Sequence, residues 1–248
     1  MLEYQSFGDG DPLVIVHGLY GSGRNWGVIA KRLADQRRVV TVDMRNHGVS
    51  PWFKTHSYPE LAQDLAELLE HLGPADVVGH SMGGKASMVA ALNFPHLINR
   101  LIVADIAPVA YGHSQMQFIK AMRRVDFSKV KKRSDALPML GDIDPGVATF
   151  LLQSIDIAEK KWRLNLDTLE AEMPKILGFP EVSGQFDGAT LFLSGATSDY
   201  VRPEHRDRIK ALFPKVYFAK IPGAGHWLHA EKPREFEAAA RAFLQRET

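Results

Sequence analysis

The sequence contains no cysteine, and this absence removes several kinds of chemistry at once. Disulfides, thiolate nucleophiles and cysteine-based zinc sites are all excluded. The 10 histidines are scattered, without the His-x-x-x-His or carboxylate spacing that a metal site requires. We therefore expect no metal and no other cofactor.

An excess of charge of either sign is also absent. The 30 Lys and Arg residues are balanced by 29 Asp and Glu residues, which leaves a formal net charge of +1 and no general attraction for nucleic acid or an acidic membrane. No apolar run reaches the length of a membrane span, and the first residues lack the basic and apolar regions of a signal peptide. These absences predict a cytoplasmic monomer or homodimer whose partner is a small molecule, with no nucleic acid and no membrane span.

What the sequence does contain is a set of short apolar runs separated by helical patterns. The 248 residues are 45% apolar and 24% charged, which suits one globular domain or a domain with an insertion. The runs at 13–16, 38–42, 101–104 and 190–195 lack polar alternation, as in parallel strands buried on both faces. Their spacing predicts an α/β fold with a doubly wound, mostly parallel sheet.

This alternation stops for about eighty residues in the second half of the chain. Helical patterns occur near 114–125, 128–137, 145–155 and 166–177, and no convincing strand is found between them. We interpret residues 109–188 as a helical cap inserted after the strand that ends at Asp105. Residues 1–108 and 189–248 then form the core.

A glycine-flanked serine follows the apolar run that ends near residue 78. The stretch Gly79-His80-Ser81-Met82-Gly83 lets a strand turn so sharply into a helix that the serine hydroxyl is exposed in a strained conformation. The helix begins near Met82, so its first amides lie where a developing anion would be stabilised. Ser81 is the predicted nucleophile, and the amide of Met82 is a predicted oxyanion donor.

A serine hydroxyl needs an adjacent imidazole to accept its proton. His226 follows the last predicted strand, in a Gly-Ala-Gly loop that can reach the carboxyl edge of a parallel sheet. Ser81 lies at that same edge. His226 is therefore the predicted general base, against the alternative that it caps the region of the final helix.

The motifs resemble those of the α/β-hydrolase superfamily over the whole chain. They are His17-Gly18 after an early strand, the segment 43–48 with Ser50, the serine turn, and Gly225-His226. Within the superfamily, 79–85 and 103–108 resemble the small bacterial esterases of the YbfF type. The resemblance implies the amide of Leu19 as second oxyanion donor. Tyr20 either borders the acyl pocket or packs beneath the cap.

The acid that orients His226 is less clear from the sequence. The superfamily pattern puts it three residues beyond Gly195, where this chain has Ser198, with Asp199 one position later. The other candidate is Asp105, at the end of the strand before the insertion, which is strand 6 in the superfamily's count. Alternatively, Asp105 caps the turn at Pro108. The YbfF-type resemblance implies Asp105 as the acid, with Ser198 as an auxiliary hydrogen-bonding group.

These residues predict a serine hydrolase that cleaves carboxylic esters of short to medium acyl chains through an acyl-enzyme intermediate. Hydrolysis of acyl-CoA thioesters and cofactor-free perhydrolysis are alternative reactions that use the same three residues. The expected partner is therefore a small-molecule ester or thioester substrate. A protein of another class, a ligand-binding receptor with a vestigial hydrolase site, is a further alternative.

Overall fold

The computed structural model describes residues 1–246, which alternate between strands and helices along most of their length. The strands are β1 (Tyr4–Phe7), β2 (Pro12–Val16), β3 (Arg38–Val42), β4 (Ala75–His80), β5 (Ile98–Ala104), β6 (Ile155–Asp156), β7 (Lys161–Trp162), β8 (Ala189–Gly195) and β9 (Val216–Ile221). The α-helices are α1 (Gly27–Leu33), α2 (Tyr58–Leu72), α3 (Met82–Asn93), α4 (Met116–Met122), α5 (Pro145–Leu152), α6 (Leu166–Ala171), α7 (Met173–Leu177), α8 (Arg206–Leu212), α9 (Leu228–Glu231) and α10 (Pro233–Leu244). Short 3-10 helices cover Gly23–Trp26, Pro95–Leu97, Phe127–Lys129, Arg133–Leu140 and Pro203–His205. No helix in the described part of the chain is long and apolar enough to span a bilayer.

A seven-stranded sheet with the order β1-β3-β2-β4-β5-β8-β9 forms the centre of the molecule. All neighbouring strands are parallel except β1, which pairs antiparallel with β3. One hydrophobic cluster joins the sheet to α2, α3 and α8, and a second joins its other face to α1 and α10. The predicted doubly wound, mostly parallel α/β fold is therefore confirmed.

The apolar runs in the sequence reflect burial on both faces of this sheet. Every residue of β4 is buried, as are the last four residues of β2 and of β3. A side chain pointing to either face of a parallel sheet meets a helix, so no position favours a polar residue. The parallel arrangement also brings the carboxyl ends of β4, β5 and β8 to one edge.

The intervening segment, residues 105–188 between β5 and β8, departs from the prediction in two places. It contains the antiparallel hairpin β6–β7, in which Ile155 pairs with Trp162 and Asp156 with Lys161, where the sequence indicated no strand. Strands of two residues are too short to show any periodicity, which explains the error. Most of 128–137 forms 3-10 rather than α-helix, with Pro138 inside the second 3-10 helix.

Helix α2 begins at Tyr58, and the contacts of its first turn explain why. The Ser57 amide and hydroxyl donate to the carboxylate of Glu60, over 3.0 and 2.6 Å, and Leu61 at the start of the helix is buried. Arg45 lies 3.1 Å from the same carboxylate. Although partial burial raises the pKa of Glu60, hydrogen bonds from Ser57 and Thr55 outweigh it and bring that pKa to about 2.

We expect Ser57→Ala to lower the free energy of unfolding by about 1 kcal/mol at neutral pH, as loss of a helix cap usually does. The folded-state pKa of Glu60 is depressed, so its contribution is present above the ordinary value of 4.5 and is lost as the pH falls toward about 2. Urea unfolding at neutral and acidic pH measures this, and the difference between variant and parent should shrink in acid. Ser183→Ala, at an exposed serine, is the matched control and should change little. Equal losses in the two variants would contradict the capping role.

Candidate active site

The turn from β4 into α3 holds Ser81 in a conformation that few residues adopt. Its φ is 53° and its ψ is −119°, between the end of β4 and the first residue of α3. A Cβ added to Gly79 would lie 2.5 Å from the carbonyl oxygen of Gly83, and one added to Gly83 would lie 2.4 Å from that of His17. Both glycines are therefore required by close backbone contacts. The turn leaves the Ser81 hydroxyl at the carboxyl edge of the sheet.

His226 lies beside this hydroxyl, on the loop between β9 and α9. The distance from His226 Nε2 to Ser81 Oγ is 3.1 Å, so the hydroxyl can donate to the ring. A Cβ on Gly195, at the end of β8, would lie only 2.2 Å from the carbonyl oxygen of Gly225, which shows how closely this loop approaches the sheet. His80, at the end of β4, donates from Nε2 to the His226 carbonyl over 2.9 Å and so holds the loop against the sheet. The geometry suits His226 to accept a proton from Ser81.

The carboxylate of Asp105 lies on the other side of the imidazole. Asp105 is fully buried and has a φ of 52°, immediately after β5. Its Oδ2 accepts hydrogen bonds from His226 Nδ1 at 2.8 Å and from Ser198 Oγ at 2.5 Å, and its Oδ1 accepts one from the Gly195 amide at 3.0 Å. Such a carboxylate fixes the ring so that Nε2 can accept a proton from Ser81.

The second acid that the sequence left open is not hydrogen-bonded to the imidazole. Asp199 is exposed, and its carboxylate forms no ion pair with any of residues 1–246. Its carbonyl accepts a hydrogen bond from Arg202. Of the two candidate acids, the structure therefore brings Asp105 to His226, with Ser198 on the same carboxylate.

Two backbone amides are free to receive an anion beside Ser81. Within the described chain, the amides of Leu19 and Met82 donate to no other protein group, and both residues line the cavity that contains Ser81. Met82 is the first residue of α3, where a helix has unpaired N–H groups. This arrangement can stabilise a tetrahedral oxyanion.

Tyr20 meets both descriptions that the sequence left open. It lines the same cavity, and it packs in the hydrophobic cluster of the intervening segment, where it is 3% exposed. Its hydroxyl donates to the Gln115 carbonyl over 3.1 Å, and burial raises its pKa. Its amide donates to His47, with a φ of 64° that turns the chain beside Leu19. Tyr20 thus connects the intervening segment to the loop beside Ser81.

A cavity of about 230 Å³ opens beside the Ser81 hydroxyl. Much of its wall comes from apolar side chains of the intervening segment and the loops around it. These are Leu19, Ile106, Phe118, Val147, Phe150, Leu151, Ile176, Leu177 and Trp227. An apolar cavity with a few polar groups at one end is typical of a small-molecule site.

Two residues of the site were not predicted from the sequence. The ring of Tyr200 stacks on the His226 imidazole, with centroids 3.9 Å apart and planes 18° from parallel, and its hydroxyl is hydrogen-bonded to His113 at 2.7 Å. Burial raises the pKa of Tyr200 to about 12. Lys85 is buried against the cavity one turn beyond Ser81. The ring has no sequence signal, whereas a lysine inside the apolar pattern of α3 could have been noticed.

Comparison with known proteins assigns the chain to a family. The sequence profile described as Alpha/beta hydrolase family matches residues 13–239. The chain belongs to this family. It is 41% identical over 254 aligned residues to the sn-1-specific diacylglycerol lipase ABHD11 of Mus musculus, with 95% of this chain and 83% of the relative covered. It is 38% identical over 238 residues to esterase YbfF of Escherichia coli K12, with 94% and 92% covered.

A solved structure described as a marine microorganism esterase has the same fold over nearly its whole length. The TM-score is 0.92 at 37% sequence identity, with 98% of each chain covered. The predicted resemblance to the superfamily and to YbfF-type esterases is confirmed. Within the described residues, no cluster of three or more His, Asp or Glu side chains is placed to hold a metal ion.

The glycine contacts of the turn lead to a paired test. Gly83→Ala should lower the free energy of unfolding by about 1–3 kcal/mol, because the added Cβ meets main-chain atoms that cannot move freely. Gly27→Ala is the control, since a Cβ there meets nothing within 4 Å and the φ is −55°. It should stabilise the protein by about 0.4–1 kcal/mol. Thermal and urea unfolding of both variants measure this, and equal effects would contradict the close packing of the turn.

Proposed function

We propose that the chain is an ester hydrolase in which Ser81 attacks the acyl carbon of a carboxylic ester. The observation that carries the proposal is the continuous set of contacts from Ser81 Oγ to His226 Nε2, 3.1 Å, and from His226 Nδ1 to Asp105 Oδ2, 2.8 Å. A serine, an imidazole and a carboxylate in this order are the groups that nucleophilic acyl transfer requires. The relatives named esterase and diacylglycerol lipase support the same class, EC 3.1.

In the proposed reaction, His226 takes the proton of Ser81 as the hydroxyl attacks. The imidazolium then gives that proton to the leaving alcohol, and an acyl-enzyme remains on Ser81. Water, activated by the same imidazole, releases the acid. Asp105 holds the ring and compensates its positive charge, while Ser198 holds Asp105 in place. The amides of Leu19 and Met82 stabilise the tetrahedral oxyanion of both steps.

Residues 109–188 act, in this proposal, as a cap over a core of residues 1–108 and 189–248. Their apolar side chains form a hydrophobic cluster of their own, to which Tyr20 is the buried contribution of the core. The cavity they cover has a volume of about 230 Å³, which suits a short to medium acyl chain better than a long one.

Thioester hydrolysis and perhydrolysis would use the same groups and are the alternatives to ester hydrolysis. A coenzyme A thioester would need cations for its phosphates, and the cap has a basic run at 123–133. Part of that run is already neutralised, because Arg123 bonds Asp167 and Glu170 and Lys129 pairs with Asp126. The ester is therefore the favoured substrate, and a panel of p-nitrophenyl esters beside acyl-CoA thioesters compares the two.

The nucleophile can be identified by covalent labelling. A fluorophosphonate should label the protein at Ser81, and mass spectrometry of the labelled peptide locates the adduct. Ser81→Ala should abolish labelling and lower ester turnover by at least about 10³-fold. Ser87→Ala is the control serine on the same helix, where Oγ bonds the Gly83 carbonyl instead of a histidine. Absence of an adduct on Ser81 in folded protein would contradict the proposal.

The choice of acid is tested by a matched pair of variants. Asp105→Asn should lower kcat by about 10³–10⁴-fold, because an amide favours the wrong tautomer of His226. Asp199→Asn makes the same change of charge at the exposed neighbour and should leave kcat within about threefold. Steady-state rates on one p-nitrophenyl ester suffice, with near-ultraviolet circular dichroism to compare folding. The reverse ranking would exclude Asp105 as the acid.

A further inference from the structure

Lys85 is an unusual residue in the wall of the proposed acyl cavity. It lies four positions after Ser81, in α3, and its side chain is 1% exposed. Residues at i and i+4 share one face of a helix, and long side chains lean toward the N-terminus. The Lys85 amide donates to the Ser81 carbonyl over 3.0 Å, and both residues line the same cavity.

The charge of Lys85 has no compensating carboxylate. Its Nζ donates to the carbonyls of Leu177, at 3.0 Å, and Gly178, at 2.5 Å, and lies 4.8 Å from the ring centre of Tyr111. Lys85 forms no ion pair with any residue in the described part of the chain, and one of its three N–H groups has no acceptor there. Burial alone lowers the pKa of Lys85 to about 7. With a pKa of about 7 the amine is only partly charged near neutral pH, and a bound carboxylate would stabilise the ammonium form that burial disfavours.

The residues of the cavity wall also provide no negative charge to pair with Lys85. Among the lining residues that the structure describes, Lys85 is the single Lys or Arg, and none is Asp or Glu. The imidazole of His113, which also lines the cavity, has its pKa lowered first by burial and then by the charges of His226 and Lys85. The two carbonyls at Leu177 and Gly178 could be satisfied by a neutral donor. These two hydrogen bonds therefore do not require the positive charge of Lys85.

We propose that Lys85 binds a carboxylate at the far end of the acyl group, so that the enzyme accepts half-esters of dicarboxylic acids. This inference rests on the proposed hydrolase function and adds a substrate class to it. The carboxylate would take the free N–H of Lys85 and complete the pair, while the ester carbonyl at the other end of the chain reaches Ser81. Charge-assisted hydrogen bonds of this kind distinguish an anion from a neutral isostere by about tenfold or more.

The test compares monoethyl glutarate with ethyl glutaramate, in which a neutral amide replaces the free carboxylate. Ethanol release gives kcat/KM for each, in the unmodified protein and in Lys85→Met and Lys85→Gln. Met preserves the length of the side chain without a donor, and Gln preserves a donor for the Leu177 carbonyl without a charge. We expect the unmodified protein to prefer the half-ester, and the ratio of the two kcat/KM values to fall at least about tenfold in both variants.

A ratio at or below one in the unmodified protein would overturn the proposal, and so would a smaller fall in either variant. A structural role of Lys85 in joining α3 to α7 would lower both rates together and leave the ratio unchanged. Turnover of the neutral ester without preference for the half-ester contradicts this inference alone. If neither ester is cleaved and Ser81 is not labelled, the proposed function fails. Calorimetry with glutarate and with glutaramide, its neutral diamide bearing no carboxylate, then decides the binding site, because equal affinities for the two would overturn it.

Discussion

The buried carboxylate of Asp105 is the group on which the arrangement of the site depends. A charge without access to solvent is tolerated where donors surround it, and Asp105 receives three hydrogen bonds. They come from the Gly195 amide at the end of β8, the Ser198 hydroxyl after it, and the His226 ring on the loop after β9. The position of Asp105 is set by its own amide, which donates to the Leu193 carbonyl over 2.9 Å. The charge of Asp105 can therefore be buried only because β5 pairs with β8 and the loop after β9 approaches the same edge of the sheet.

The parallel sheet supplies these conditions together, because all its carboxyl ends lie at one edge. Ser81 after β4 and Asp105 after β5 both have positive φ, 53° and 52°, which costs about 1–3 kcal/mol for a residue with a side chain. Neighbouring strands that end at matching positions, with His80 opposite Ala104, place the two strained residues side by side. The hydrogen bonds of the site and the packing of both sheet faces offset that cost.

The strained turn at Ser81 could be predicted from the sequence because it is encoded locally. Ser81 has glycines on both sides that the turn requires, so neighbours in sequence carry the information. The choice between Asp105 and Asp199 depended on the register between β5 and β8, which no local pattern contains. The ring of Tyr200 reaches His226 across a tertiary contact, and the hairpin β6–β7 is too short for periodicity.

The wall of the cavity and the orientation of the imidazole depend on shared contacts. The Tyr111 hydroxyl donates to the Tyr200 carbonyl over 2.7 Å, and the Tyr200 ring stacks on His226. The Tyr111 ring in turn lies under the Lys85 ammonium, which bonds the carbonyls at the end of α7. A shift of α7 therefore changes the environment of Lys85 and, through Tyr111 and Tyr200, the support of the imidazole. The group that would bind the acyl chain and the group that would move the proton are not independent, because Tyr111 and Tyr200 connect them.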